Sequence, residues 1–393
     1  MMVHTMNPRP FAVCAVTLLV LTGCQVSPPP PTEPLGATVS YASGASTHGV
    51  VAVDFDGDGR VDLIVTVAGE DAVIVLRGLG DRAFARPVRL ETGPFPKHAA
   101  VADLNGNGLL DIVTANQDGN DGDGITVLLR LPSGGFAAAN YAACANPHHV
   151  AVGRFGSQGR VDVAVACWGQ SEIAVLPGLG DGSFGAPQFH LSGASPHALV
   201  VEDLDGDGFD DIAIANLGGS TVAVLRGLGS YAFDAAVTYP VGARPHGIAL
   251  GDLDGDGVPD LVTANESGTV SVLMGVGDGT FTVTDFPAGS VPKDVAVGDI
   301  DGDGVPDIVT ANSHGNYPNG SAPTDVSLLR GAGDGTFGAP TRFRVDLSPF
   351  AVDVADLDGD GRLDVVTANW HSGDVVALYN TGGGQLGEAD PVP

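Results

Sequence analysis

Positive charge is what this chain has least of: 17 lysines and arginines stand against 47 aspartates and glutamates in 393 residues, a formal net charge of −30 at pH 7. Such an excess argues against nucleic acid or an anionic membrane surface as a partner, because both would be repelled. Aromatic residues are few, at 6%. Abundant Val, Ala and Gly with frequent turns point to many short strands and away from helices. Beyond residue 24 no apolar run is long enough to span a bilayer. The signatures G-x-S-x-G and H-E-x-x-H, the phosphate loop and a catalytic-cysteine motif are missing, so no motif marks an enzyme.

Acid concentrated in loops is what the chain has most of. The pattern D-x-D-G-D-G-x-x-D stands at Asp252-Leu-Asp254-Gly-Asp256-Gly-Val258-Pro-Asp260 and recurs along the sequence. Four carboxylates in nine residues repel one another unless a cation sits among them. Oxygen donors at alternate positions suit Ca2+, which accepts about six to eight. Asp252, Asp254 and Asp256 each offer a side-chain oxygen, Val258 offers its carbonyl, and Asp260 is expected to close the cage with one or both oxygens. Gly255 and Gly257 supply the positive φ angles that so short a loop needs. Four further loops carry the full set: Asp54, Asp56, Asp58, Arg60 (through its carbonyl) and Asp62; Asp203, Asp205, Asp207, Phe209 and Asp211; Asp299, Asp301, Asp303, Val305 and Asp307; Asp356, Asp358, Asp360, Arg362 and Asp364. The loop of Asp103, Asn105, Asn107, Leu109 and Asp111 exchanges two carboxylates for amides, which keeps oxygen donors but weakens the site. The third copy in chain order departs altogether, with Arg154, Gly156 and Gln158 in place of acids and only Asp162 left. The Arg154 guanidinium is expected to pair with Asp162 where an ion would otherwise sit. Six calcium ions are therefore expected, and none in the third loop.

The first loop position falls at 54, 103, 154, 203, 252, 299 and 356, a spacing of 47 to 57 residues. Each unit carries four strand-like runs, the content of one propeller blade. Runs such as Asp307-Ile-Val-Thr-Ala311 are apolar without alternation, as sheets packed on both faces require. The expected fold is all-β: a seven-bladed propeller of four-stranded blades over residues 35–393. Leu35–Ala42 is similar to the outer strand at Ala235–Val241 yet precedes the first unit, and the last unit stops after Gly387. The N-terminal segment is thus expected to complete the last blade and close the ring, which removes exposed edges.

Residues 1–23 read as an export signal, with Arg9 as a weak basic start and an apolar stretch from Phe11 to Leu21. Leu21-Thr22-Gly23-Cys24 resembles the lipobox of bacterial lipoproteins, which implies a lipidated Cys24; an ordinary cleaved signal is the alternative. A proline-rich tether runs on to residue 34. The expected location is extracytoplasmic, lipid-anchored to the bacterial envelope at the outer membrane or cell surface, as Gln25 after the cysteine suggests. In that oxidising setting Cys144, before the first strand of unit three, and Cys167, at the end of its second strand, share a rim and are expected to form a disulfide.

With Phe184-Gly-Ala-Pro187 and Phe337-Gly-Ala-Pro340 beside the aspartate loops, the chain resembles the FG-GAP/VCBS repeat family, which includes the β-propellers of integrin α subunits. The resemblance covers nearly everything after residue 34 and implies the propeller and its calcium loops. It implies no single function, because adhesion proteins, lectins and enzyme-associated domains share the fold.

Repetition argues that the ions are structural. A site whose Kd is tenfold below ambient calcium adds about 1.4 kcal/mol, and six add about 8 kcal/mol, comparable with the ~5–15 kcal/mol net stability of a typical protein. Function is then expected on the face opposite the loops. Six residues before each loop stand His48, Lys97, His148, His197, His246, Lys293 and Phe350, forming a ring at the channel mouth. That ring either binds a metal or anionic group or caps strands by hydrogen bonds to neighbouring blades. Trp168, Trp370 with His371, and His314 with Tyr317 follow second strands on this face, the last pair inside the insertion 312–325; a second insertion, 116–124, adds Asp118, Asp121 and Asp123. Exposed, these aromatics suit a glycan or protein ligand; buried, they plug the channel. The expectation is a monomeric, surface-tethered binding or adhesion propeller that is not an enzyme and meets the membrane only through its lipid. The alternatives are a polysaccharide-active enzyme using the ring histidines with Glu70, Glu266 or His371 as acid and base, and a structural envelope scaffold.

Overall fold

The computed structural model describes residues 39–42, 44–117, 124–313, 324–345 and 347–387. The expected export signal, Cys24 and expected tether, with Asp118, Asp121, Asp123, His314 and Tyr317, lie outside these. Seven four-stranded antiparallel sheets form the seven blades. Blade one runs outward from Thr47–Val53 through Asp62–Val67 and Ala72–Leu76 to Val88–Glu91. The inner strands of blades two to seven are Pro96–Ala102, Pro147–Gly153, Pro196–Glu202, Pro245–Gly251, Pro292–Gly298 and Pro349–Ala355. Blade seven takes its outer strand from the other end of the chain: Val39–Ala42 pairs antiparallel with Asp374–Leu378, Val39 opposite Ala377 and Ala42 opposite Asp374. The expected closure is present.

The apolar runs become second and third strands because both of their faces are covered. Every residue of Asp62–Val67 and of Asp307–Asn312 is buried, and β-branched side chains pack well on such pleated surfaces. The core is divided into seven apolar clusters, one between each pair of neighbouring blades. The cluster joining Val50, Leu63 and Ile74 to Val366, Val375 and Tyr379 is the blade-one-to-seven seam.

Each inner strand carries one extra residue near its start. The register slips between Thr47 and Gly49 and at the equivalent place in the other six blades. The bulged residues are His48, Lys97, His148, His197, His246, Lys293 and Phe350, and a bulge re-aims its side chain out of the strand's alternation. Two residues earlier the backbone is left-handed in all seven blades, φ lying between 53° and 62° at Ser46, Phe95, Asn146, Ser195, Arg244, Val291 and Ser348. For β-branched Val291 that conformation is strained. No helix among the described residues is long and apolar enough to cross a membrane.

Candidate functional site

The acidic loops are scaffolded by their first aspartate. Asp54 Oδ1 accepts the N–H groups of Gly57 and Asp58 at 2.8 and 3.0 Å, and its Oδ2 accepts Gly59 N–H at 2.9 Å. Gly57 and Gly59 have φ of 80° and 84°, with open space where a Cβ would stand. The conformation, not crowding, therefore selects glycine. Three carboxylates approach with oxygens within 4.8 Å in five loops: Asp54, Asp56 and Asp58; Asp203, Asp205 and Asp211; Asp252, Asp254 and Asp260; Asp299, Asp301 and Asp303; Asp356, Asp358 and Asp360. In two of these, Asp56 Oδ1 and Asp301 Oδ1 are buried without a hydrogen-bond partner, while their Oδ2 atoms lie 3.6 Å from Arg77 and 2.9 Å from Arg330. A buried, unsatisfied carboxylate oxygen is costly, and a cation among the three carboxylates would satisfy it. The donors are all hard oxygens, so the residues fit calcium.

Both oxygens of each ninth-position aspartate are also anchored to the backbone. Asp260 Oδ2 accepts Leu253 N–H at 2.8 Å and Oδ1 accepts Gly275 N–H at 2.7 Å, which ties the loop to the end of the third strand. Asp62, Asp111, Asp211, Asp307 and Asp364 repeat the arrangement. Burial pushes these acids up, Asp211 and Asp364 to about 7 and Asp260 and Asp307 to about 6.

This structural duty explains why the third loop keeps Asp162, which accepts N–H groups from Phe155, Gly156 and Gly178 at 2.9, 3.2 and 2.7 Å. The expected Arg154–Asp162 pair is not formed. The Arg154 side chain is exposed and its backbone N–H donates to Asp210 Oδ2 at 2.6 Å. The partner is Tyr231 from blade four, whose hydroxyl donates to Asp162 Oδ1 at 3.3 Å. A Cβ at residue 156 would stand 2.5 Å from that hydroxyl, so Gly156 makes room for the ring.

On the opposite face the histidine ring is filled in. His48, His148, His197 and His246 are buried. His148 Nδ1 meets His197 O at 3.2 Å and His197 Nδ1 meets His246 O at 2.8 Å; His48 and His246 bond the backbones of Lys97 and Lys293 in the same way. Each ring thus caps the next blade. Neighbouring imidazoles lie 3.7 and 3.8 Å apart, and Phe350 closes on His48 at 4.6 Å. A second layer below stacks His98 on His149 at 3.5 Å. Among the described residues no imidazole joins a group of three metal-ligating atoms within 4.8 Å. Burial lowers all six imidazoles, His98 to about 4 and His197 to about 3.

The aromatics on this face divide. Trp370 packs on Phe95, Phe350 and His48, with the Lys97 ammonium 5.0 Å above its ring, and belongs to the plug. Trp168 is 41% exposed beside Cys144 and Cys167, which are joined with Cα atoms 5.9 Å apart. Glu266 is held by Lys293 and Arg244, both at 2.6 Å. His371 Nδ1 lies 2.6 Å from Ser348 Oγ, and Glu70 accepts Ala45 N–H at 3.2 Å.

Sequence reasoning missed two features. Asp294 and Asp353 face the channel half-buried, accepting N–H groups of the next blade from Val352 at 3.1 Å and Ala52 at 2.9 Å, and desolvation pushes both up to about 7. Both interrupt columns that are mostly small or apolar in the other units, a signal visible on aligning them. The second feature is a cavity of about 500 Å3 on the loop face at Arg154, Glu202 and Asp210; beneath the plug the space is only about 40 Å3.

The FG-GAP-like repeat pattern matches residues 54–114, 157–214, 203–263, 252–310 and 315–367, well over half of the chain. The chain belongs to the FG-GAP-like repeat family. No curated protein matches it. Among solved structures this FG-GAP propeller is similar to BBS1N in its complex with ARL6DN, at TM-score 0.60 and 12% identity over 88% of this chain and 97% of that one. It is also similar to a putative 6-phosphogluconolactonase from Bacteroides fragilis, at TM-score 0.59 and 12% identity over 91% and 95%. A functionally unknown protein from Desulfotomaculum acetoxidans follows at TM-score 0.53 and 12% identity over 81% and 89%. Identities this low carry the fold alone. The phenylalanine of the FG-GAP motif has a packing role here: Phe184 is buried in the seam between blades two and three, edge-on to Tyr141 at 5.6 Å.

Proposed function

We propose that this FG-GAP propeller is a calcium-stapled binding module that recognises a glycan or protein outside the cytoplasm and catalyses no reaction. The observation that carries the reading is the orphaned, buried carboxylate oxygens of Asp56 and Asp301, each set in a group of three acids. Calcium satisfies those oxygens and holds one end of six of the seven blades, which leaves the other face free to vary. On that face Trp168 is, among the described residues, an exposed aromatic on a rim braced by the Cys144–Cys167 disulfide, and a flat, rigid ring on a fixed rim suits stacking against a sugar or a protein side chain. The non-catalytic reading is supported by the candidate acid Glu266 being held by two cations and by the ring histidines being spent on backbone carbonyls. The lipobox-like Leu21–Cys24 supports attachment to the envelope by a lipid.

The test is a glycan array and an envelope-protein capture with the mature chain, with and without calcium. Saturable binding that Trp168→Ala abolishes supports the reading. Turnover of an envelope polysaccharide, or binding indifferent to Trp168, rejects it. Palmitate labelling lost in Cys24→Ala checks the anchor.

A further inference from the structure

Three residues break the repeat on the loop face, and the fold brings them to one cavity. Arg154 stands where the six other loops begin with aspartate. Glu202 ends its inner strand where the other six blades carry Val, Ala or Gly. Asp210 fills a loop position held elsewhere by Val, Leu or Pro. These positions are 56 residues apart at most, yet the Arg154 backbone N–H donates directly to Asp210 Oδ2. All three line the cavity of about 500 Å3 that opens at the end of the channel beside blades three, four and five. That volume lies within the range of small-molecule sites.

The third loop borders the cavity and is built differently from the other six. Tyr231 is drawn down onto Asp162, and Arg154 is left exposed at the rim. Val152, Val161, Val201 and Val258 supply aliphatic wall. Asp203 and Asp205, also on the wall, belong to the acidic group in the loop of blade four; a calcium ion there matches their charge, and on this point alone the inference rests on the reading above. The charges remaining to the cavity are one guanidinium and the carboxylates of Glu202 and Asp210. Opposite charges around an aliphatic pocket are the chemistry that holds an ammonium and a carboxylate on one small molecule.

We propose that this cavity binds an amino-acid zwitterion, either a free α-amino acid or a dipeptide. The ligand carboxylate meets Arg154, its ammonium meets Glu202 and Asp210, and its side chain lies on the valines. The excess of acid favours a basic or neutral side chain over an acidic one.

Calorimetric titration of the calcium-loaded whole chain with L-lysine, L-leucine, L-glutamate, the dipeptide Leu-Leu and N-acetyl-leucine amide tests this. Saturable one-to-one binding of zwitterions is expected, lysine and leucine ahead of glutamate, and the uncharged amide weaker by about ten-fold or more. Tighter binding of Leu-Leu than of leucine identifies a peptide ligand, and the reverse a free amino acid. Arg154→Ala, at an exposed position, and Glu202→Gln should each weaken binding by about ten-fold or more, while Trp168→Ala leaves it unchanged. Absence of saturation with every zwitterion up to about 10 mM overturns the proposal. So does wild-type affinity in Arg154→Ala, whose fold can be verified by its melting temperature. Zwitterion binding by protein that takes up no calcium would refute the calcium reading and leave this site standing.

Discussion

The hydroxyl of Tyr231 lies 3.3 Å from Oδ1 of Asp162, across the boundary between blades four and three. In the one loop that has lost its acids, a side chain from the neighbouring blade takes over the locking. Tyr231→Phe is therefore expected to lower stability by about 1 kcal/mol, the usual worth of one such hydrogen bond, seen as a lower denaturant midpoint. Calcium stoichiometry should not change, and an additional ion bound by the variant would contradict the assignment.

Calcium should titrate as six ions, with the loop of Asn105 and Asn107 the weakest. Chelation is expected to lower the melting temperature steeply. Asp301→Asn should remove one ion and cost about 1.4 kcal/mol at calcium tenfold above Kd. A melting temperature indifferent to chelator would count against stapling.

The buried imidazoles make the fold acid-sensitive. His48, His98, His148, His149, His197 and His246 are all held below their usual value by burial, among Lys97, Lys293 and Glu266 at the plug and Asp294 and Asp353 below it. The folded pKa lies under the unfolded one, so the unfolded chain binds more protons once pH falls below about 6.5. The stability these groups give above that pH is lost on the way to the folded values. The two channel acids and the raised loop acids Asp211, Asp260, Asp307 and Asp364 act in the opposite sense, so the imidazole share is read by comparing variants. Between about pH 7 and pH 4.5 the melting temperature of His197→Gln should lose less, or gain more, than that of the parent. Identical pH profiles for the two proteins exclude this.

Asp353 has the opposite sign. Its folded pKa is raised to about 7 by burial, above the unfolded value, so its contribution is full below the unfolded value and is lost as pH rises through 7. Asp353→Asn keeps one acceptor for Ala52 and removes the buried charge. The variant should be more stable than the parent by about 1–3 kcal/mol near pH 8 and lose that advantage near pH 5. Equal differences at both pH values would show that charge is not the cause.

Reduction of the Cys144–Cys167 bond, which spans 23 residues, should cost about 3 kcal/mol. Alkylation of the native protein should modify neither cysteine.

Much of the fold was legible because repetition amplifies weak local signals. A single Asp-Gly turn is ambiguous, but six acidic or amide copies and one degenerate copy at near-constant spacing fix a blade, and the mismatch between the ends of the chain fixes closure. What stayed hidden arises between blades. Asp162 was read with partners from its own loop, whereas Tyr231 arrives from 69 residues away. The ring at His48 and its equivalents was placed at the channel mouth correctly, yet spacing gives position and not packing. The bulge that turns those side chains inward onto one another leaves no residue-type mark. Asp294 and Glu202 were visible as departures from their columns, but only the closed ring shows that both face the channel or its end.

The strand Val39–Ala42 pairs with Asp374–Ala377, so this strand, made before blade one, finds its neighbour only when the seventh blade has emerged. Blades one to six can dock on one another as they are synthesised. The N-terminal strand must wait with its backbone groups unpaired, and the third strand of blade seven emerges with an open edge. Vectorial folding therefore cannot finish this molecule. Ring closure is a late, long-range event, and the interval before it is when an unguarded edge is most exposed to pairing with another nascent chain.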